Sequence, residues 1–288
     1  MTAQLLDGNP VLDAIKADLA VRIAALGERG VTVGLGTVLV GDDPASAKYV
    51  QMKHRNCAEL GIASVHEHLP ADATQADVDA VVDRFNADPA VHAYLMQYPF
   101  PKHLDFESAL LRVDPAKDVD GLHPVNLGRL LQGVAGPRPC TPAGIQALLA
   151  HYGVAVSGRH VVIVGRGLTV GKPLSALLAL KEPAGNAAVT LLHTGVKDIA
   201  PYVRTADVVV AAAGAPGIIT ADMVKPGAAV VQTGTTLVDG KYLADVDPAV
   251  QDVAGWFSKV TGSVGPMTRG MLLSNVVAAA ELAAGTGG

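Results

Sequence analysis

Four groups of residues have types and spacings that could do chemistry. Tyr49 and Lys53 lie four residues apart, so a helix through them puts an aromatic ring and an ammonium group on one face. A lysine is an acid/base or electrostatic catalyst when partly desolvated, and a tyrosine ring packs on a planar ligand. On their own the two read far more often as a solvated lysine beside a half-buried tyrosine than as an active site. Gln97 ends an apolar run and enters Tyr98-Pro-Phe-Pro101; an amide at a strand's carboxyl end either faces a cleft or satisfies backbone groups. Asp120, in Lys117-Asp-Val-Asp-Gly-Leu-His123, either binds a ligand or closes an Asx turn.

The fourth group is Gly165-Arg-Gly167-Leu-Thr-Val-Gly171, which follows an apolar strand and precedes a helix. Glycines let the backbone turn tightly and approach a pyrophosphate, while the helix N-terminus offers free N–H groups and a positive dipole. The last interval is one residue longer than in the common dinucleotide fingerprint, and a tight turn without a ligand is the alternative. The next strand ends at His193 and is followed by Thr194, not by the acidic residue that grips a ribose 2′-hydroxyl. Arg166, His193 and Thr194 suit a 2′-phosphate instead. NADP is therefore preferred over NAD, against the alternative of a capping threonine beside surface cations.

Positioning these groups takes alternating helices and strands. A helical pattern over Pro10 to Leu26 leads into Gly34-Leu-Gly-Thr-Val-Leu-Val-Gly41, a buried strand. Asp43 can cap and Pro44 can open a helix to about Leu60, which carries Tyr49 and Lys53. A strand over Ala63 to Leu69, a helix over Thr74 to Asn86 and a strand over Ala93 to Gln97 complete a βαβαβ unit. Gly136-Pro-Arg-Pro-Cys-Thr-Pro142 is read as neither helix nor central strand, and as a domain boundary. Beyond it come a helix over Ile145 to His151, strands at His160 to Gly165, Ala188 to His193, Asp207 to Ala213 and Ala228 to Gln232, and a helix over Pro173 to Leu180. The long connections predict parallel pairing. A last helix over Thr268 to Ala284 has no domain assigned by its pattern.

Composition agrees with an α/β protein. Half of the 288 residues are hydrophobic but only 4% are aromatic, so the core is Ala, Val and Leu, the filling of helix-covered parallel sheets. A net charge of -5 with no basic run argues against nucleic acid. The most apolar stretch, Val208 to Ala221, is broken by Gly and Pro and falls short of a membrane span of ~20 residues. Cys57 and Cys140 are too few for a disulfide framework or a zinc site. With no charged-then-apolar leader at the start, a cytoplasmic location is expected.

The motifs are also linked. Ser46-Ala-Lys-Tyr-Val-Gln-Met-Lys53, Gln97-Tyr-Pro-Phe-Pro101, Lys117-Asp-Val-Asp-Gly-Leu-His-Pro124, Pro139-Cys-Thr-Pro142, Val164-Gly-Arg-Gly-Leu-Thr-Val-Gly-Lys-Pro173 and Val264-Gly-Pro-Met-Thr268 occur in one order and spacing. In this the chain resembles the bifunctional methylenetetrahydrofolate dehydrogenase/methenyltetrahydrofolate cyclohydrolase family, from the first strand to the last helix. The resemblance implies two α/β domains, a catalytic folate-binding one over 1–139 with 268–288 returning to it, and a Rossmann-like NADP-binding one over 140–267. It implies a homodimer acting on tetrahydrofolate derivatives with NADP and without a metal. It makes Lys53 the catalytic lysine, places Tyr49 against the folate and Gln97 against Lys53, and gives Asp120 the pterin's amino-pyrimidine edge. Gly165, Arg166, Gly167, His193, Thr194 and Thr235 become nucleotide contacts, and Gly262 and Pro266 folate contacts.

Three stretches depart from the family pattern. Gly167 stands where many relatives carry Ser. Ser258-Lys-Val-Thr-Gly-Ser263 replaces a Thr-Pro-Val-Pro-Gly-Gly stretch, and losing two prolines is expected to loosen that loop. Gln232-Thr-Gly-Thr-Thr236 replaces Asp-Val-Gly-Ile-Asn near the nicotinamide. The altered stretches Ser258 to Ser263 and Gln232 to Thr236 support a rival reading, a non-catalytic NADP-binding protein on the same fold. A dehydrogenase without hydrolase activity is a second rival, opposed by the presence of Lys53 and Gln97.

Overall fold

Residues 2–238 and 241–285 are described by a computed structural model. The end of the C-terminal segment assigned above, 286–288, lies outside the described residues. The chain opens with a two-residue strand, β1 (Gln4–Leu5), and a helix, α1 (Asn9–Glu28). Then follow β2 (Gly34–Val40), α2 (Pro44–Glu59), β3 (Ala63–Leu69), α3 (Gln75–Ala87) and β4 (Ala93–Met96). The three strands form one parallel sheet in the order β3-β2-β4, so β2 is central, and every one of its residues is buried. Its glycines and β-branched residues suit a strand covered on both faces. Val78, Val82 and Phe85 of α3 pack with Val38, Tyr94 and Met96 of the sheet.

Helix starts follow local chemistry. Asp43 accepts the N–H of Ser46 at 2.7 Å and Pro44 takes the first position of α2. Thr74 and Asp77 form a reciprocal capping box on α3. Two short helices, α4 (Phe106–Arg112) and α5 (Pro124–Gln132), fill the stretch between β4 and the Pro-rich segment.

The remainder runs α6 (Cys140–His151), β5 (His160–Val164), α7 (Gly171–Ala179), β6 (Ala188–Leu192), α8 (Ala200–Val203), β7 (Val208–Ala211), β8 (Ala229–Gln232), β9 (Thr235–Val238), β10 (Lys241–Ala244), β11 (Trp256–Phe257) and α9 (Val264–Ala283). Six parallel strands stand in the order β1-β11-β8-β7-β5-β6, while β9 and β10 pair as an antiparallel hairpin. Val162, Val164, Val209, Ala211 and Val230 anchor its core.

The helix α6 corrects the reading of the Pro-rich segment, since it begins at Cys140 and includes Pro142. Proline is accommodated in a first turn because no intrahelical acceptor awaits its missing N–H. The same reason lets α9 begin at Val264, ahead of Thr268, with Pro266 in its first turn.

The fold divides into two units, one of Met1–Asp13, Leu130–Val134 and Pro139–Met271, the other of Ala14–Arg129, Ala135–Arg138 and Leu272–Gly288. This differs from the boundaries expected above. The first thirteen residues cluster with the nucleotide-type unit because β1 pairs with β11, Gln4 opposite Trp256 and Leu5 opposite Phe257. Within the other unit, Asn275 of α9 donates to the carbonyls of Val119 at 2.8 Å and Arg138 at 2.9 Å.

Candidate active site

In the unit built on β3-β2-β4, helix α2 carries Tyr49 and Lys53 one turn apart. Tyr49 is 56% exposed, its ring open to a ligand. Lys53 is half-buried, and its Nζ donates to Oε1 of Gln97 at 3.2 Å. Gln97 leaves the end of β4, where its own N–H donates to the carbonyl of Val38 at 2.8 Å and its side-chain amide donates to the carbonyl of Tyr98. The amide orientation is thereby set, with nitrogen turned to Tyr98 and oxygen to the ammonium.

Asp120 reaches the same neighbourhood from a loop tied down by its neighbours. The segment before it runs beside β4, with the Tyr94 N–H donating to Lys117 at 2.9 Å. Asp118, buried, accepts the N–H groups of Gly121 at 3.0 Å and His123 at 2.8 Å and the Asn126 amide at 2.9 Å. Asp118 thus makes the Asx-type closure, which leaves Asp120 free; among the described residues its carboxylate accepts no hydrogen bond. Burial beside Leu95, Met96 and Leu122 pushes the Asp120 carboxyl above the usual range, against the pull of the Lys53 ammonium and with a further push from Asp118.

The nucleotide-type unit presents a different edge. Chain order reverses about β5, which has β6 on one side and β7 on the other, the arrangement that opens a crevice at strand carboxyl ends. Val164 pairs with Leu192 and Ala211, so Gly165, His193 and Ala212 leave the sheet side by side. Gly165 has φ 121°, and a Cβ there would stand 2.0 Å from the Ala212 carbonyl oxygen; only glycine fits. At Gly171 a Cβ would stand 1.8 Å from the Gly165 oxygen. Gly167 is different: it is exposed and a Cβ there would meet nothing within 4 Å. Arg166 and Thr194 are exposed, with no internal side-chain partner among the described residues, whereas Nδ1 of His193 accepts the Gly195 N–H at 3.1 Å. Thr235, also exposed, opens β9. Gly262 and Pro266 belong to this unit, not to the one that holds Lys53.

The altered stretches are fastened from within. Gln232, buried, accepts the Val246 N–H at 2.9 Å, donates to the Gly234 carbonyl, and donates its own N–H to Ser258 Oγ at 2.7 Å. The loop that lacks two prolines is held where Lys259 N–H donates to Ser263 Oγ at 3.0 Å and Gly8 N–H to the Gly262 carbonyl at 2.8 Å. Sequence reading missed Asp245. It is fully buried and accepts the N–H groups of Ala213 at 2.7 Å, Gly214 at 2.9 Å and Ala215 at 2.8 Å, fixing the loop after β7 at the crevice. Its partners lie some thirty residues upstream, so no local pattern signals it.

Among the described residues, no helix is long and apolar enough to cross a membrane, and no cluster of His, Cys, Asp or Glu could hold a metal ion. Residues 6–120 match the tetrahydrofolate dehydrogenase/cyclohydrolase catalytic domain, and residues 139–284 the NAD(P)-binding domain of the same family. The chain is 54% identical to the bifunctional protein FolD of Syntrophotalea carbinolica, over 98% of this chain and 97% of that protein. Its fold matches the bifunctional FolD methylenetetrahydrofolate dehydrogenase/cyclohydrolase of Campylobacter jejuni, with TM-score 0.93, 38% identity, and 97% and 99% of the two chains covered. It also matches the Trypanosoma brucei enzyme, solved with NADP and an inhibitor, with TM-score 0.90, 35% identity and 99% of each chain covered. The chain therefore belongs to the tetrahydrofolate dehydrogenase/cyclohydrolase family.

Proposed function

We propose that the chain oxidises 5,10-methylenetetrahydrofolate with NADP and hydrolyses the methenyl product to 10-formyltetrahydrofolate, with Lys53 as the proton-handling group of the hydrolysis. As a family member it is a bifunctional dehydrogenase/cyclohydrolase with an NAD(P)-binding domain. The observation that carries the residue roles is the convergence of Lys53, Gln97 and Asp120 in one unit, with Lys53 Nζ on the Gln97 oxygen at 3.2 Å.

NADP supplies the hydride acceptor when bound. The residues fit it: Arg166 and Thr194 leave a guanidinium and a hydroxyl unengaged at the carboxyl ends of adjacent strands, a pair suited to a 2′-phosphate. Oxidation of the one-carbon bridge requires no proton abstraction, so the protein's part is orientation. Tyr49 offers a ring to stack on the folate, and the unengaged Asp120 carboxylate accepts two hydrogen bonds from the amino-pyrimidine edge. The methenyl product is cationic and open to water. Its hydrolysis moves protons through a tetrahedral adduct, and Lys53, oriented by the Gln97 oxygen, gives and takes them.

The same reading makes the enzyme a cytoplasmic homodimer, which light scattering at twice the chain mass checks. In the main test, purified protein with methylenetetrahydrofolate is expected to reduce NADP in preference to NAD, and Lys53→Met to lose methenyl hydrolysis by about a hundredfold or more with NADP binding intact. Hydrolysis unchanged in Lys53→Met would remove the role given to that lysine.

A further inference from the structure

The imidazoles next to Lys53 have no part in the chemistry above. Thr37, in the middle of β2, is fully buried, where a hydroxyl needs partners. Its Oγ1 lies 2.9 Å from Nε2 of His54 and 2.9 Å from Nδ1 of His66. His54 follows Lys53 on α2, while His66 stands opposite Thr37 on β3 and is exposed. The two rings meet edge to face with centroids 5.3 Å apart, and His66 stacks on His68 at 6.1 Å. His68 in turn reaches the Gly41 carbonyl at 3.0 Å and Asp42 at 3.2 Å. A hydrogen-bonded chain thus runs from beside Lys53, along one face of the sheet, to the outer strand.

One hydroxyl has one proton to give. One imidazole therefore accepts from Thr37 while the other donates to it, and the tautomer of His54 is tied to that of His66. A single added proton is accommodated, because the hydroxyl turns toward whichever ring stays neutral. A second leaves two imidazolium rings in edge contact and a buried O–H without an acceptor. The surroundings act in the same sense. Burial, then His66 and Lys53, hold His54 below the ordinary histidine value; burial, then His68, do so for His66, against a hydrogen bond with Thr37 and the charge of Glu67. Glu67 is itself paired with Arg84 of α3.

We propose that His54 is a positioning residue for the face of α2 that carries Tyr49 and Lys53, acting through Thr37 and His66, and that this chain tolerates one proton but not two. The inference rests on Lys53 being the hydrolytic group. Its consequence is an acid limit, shared by both activities, that belongs to histidines the substrate does not touch.

The test measures both activities of the full-length enzyme from pH 5 to 8. Thr37→Val, which keeps shape and removes the hydroxyl, is expected to raise the folate KM about tenfold with the NADP KM unchanged, and Thr37→Ser to restore it. His66→Ala, a change at an exposed ring, is expected to reduce the acid limb of kcat/KM from a two-proton to a one-proton dependence. Wild-type folate KM in Thr37→Val together with a wild-type acid limb in His66→Ala would overturn the proposal. Lys53→Met run alongside separates the failures: hydrolysis surviving there sinks the lysine assignment and the positioning role with it, whereas hydrolysis lost there with Thr37 and His66 variants unmoved sinks the chain alone.

Discussion

In the unit that holds Lys53, the candidate site is built from side chains drawn into half-buried places: an ammonium on an amide oxygen, and a desolvated carboxyl beside a second, satisfied one. In the unit that holds Gly165, the corresponding edge is backbone. Its glycines lie against carbonyl oxygens, its loop after β7 is pinned through three N–H groups, and its charged side chain, Arg166, stands in solvent. On the roles proposed above, substitutions in the first region are expected to act at the residues that meet the ligand, and in the second at residues that never meet it.

Asp245 gives the sharpest way to break that contrast. In Asp245→Asn the amide NH2 must face one of three backbone donors, which leaves a buried N–H unmet and removes the charge behind the other bonds. A loss of about 2–3 kcal/mol corresponds to a rise of roughly 30-fold to 150-fold in NADP KM. Methenyl hydrolysis measured without nucleotide is expected to stay at the wild-type rate. Equal damage to both activities would mean that the buried carboxylate supports the whole fold rather than the nucleotide edge.

Much of this was legible in the sequence where the physics is local. The continuous apolar run of β2, the Asp43-Pro44 start of α2, and the glycine turn between β5 and α7 each state their structure within a few residues. The contact of Lys53 with Gln97 spans forty-four residues and was implied only by the linked motifs. Asp245, the Gln232 to Ser258 bond and the His54-Thr37-His66 chain carry no periodicity at all, because each joins residues from different elements. Strands β1 and β11, two residues each, are likewise set by their partners rather than by their own pattern. Proline counting misled in the opposite way at α6, since it registers a missing donor without registering that a first turn has no use for it.

Asp120→Asn probes the side-chain region with a smaller effect and a definite sign. The Asp120 carboxyl titrates above its unfolded value because of burial, so the folded protein holds a proton that the unfolded chain has released. Stability from this group therefore falls as pH rises from the unfolded carboxyl range through the folded value, and the cost is full above it. At pH 7 the neutral amide removes that cost. The ligand-free variant is expected to melt about 1–3 °C higher, with the gain vanishing toward pH 4, while its folate KM rises about tenfold through the lost charge-assisted pair. A lower Tm at pH 7 would show that Lys53 outweighs burial and that the carboxylate is structural.

Gly167→Ser is the smallest and most discriminating change. A Cβ there meets nothing within 4 Å, and Gly167 is absent from the positive-φ positions of the chain, so serine enters without strain. If the nucleotide edge works through backbone, one added hydroxyl at an exposed position changes NADP KM by about twofold to threefold at most, near the worth of a single solvent-exposed hydrogen bond. The Tm is expected to stay within about 1 °C of wild type. A tenfold gain would instead mean that this loop reads the phosphate with side chains, as the other unit reads its ligand, and the distinction between the two regions would fail at the point where it is easiest to measure.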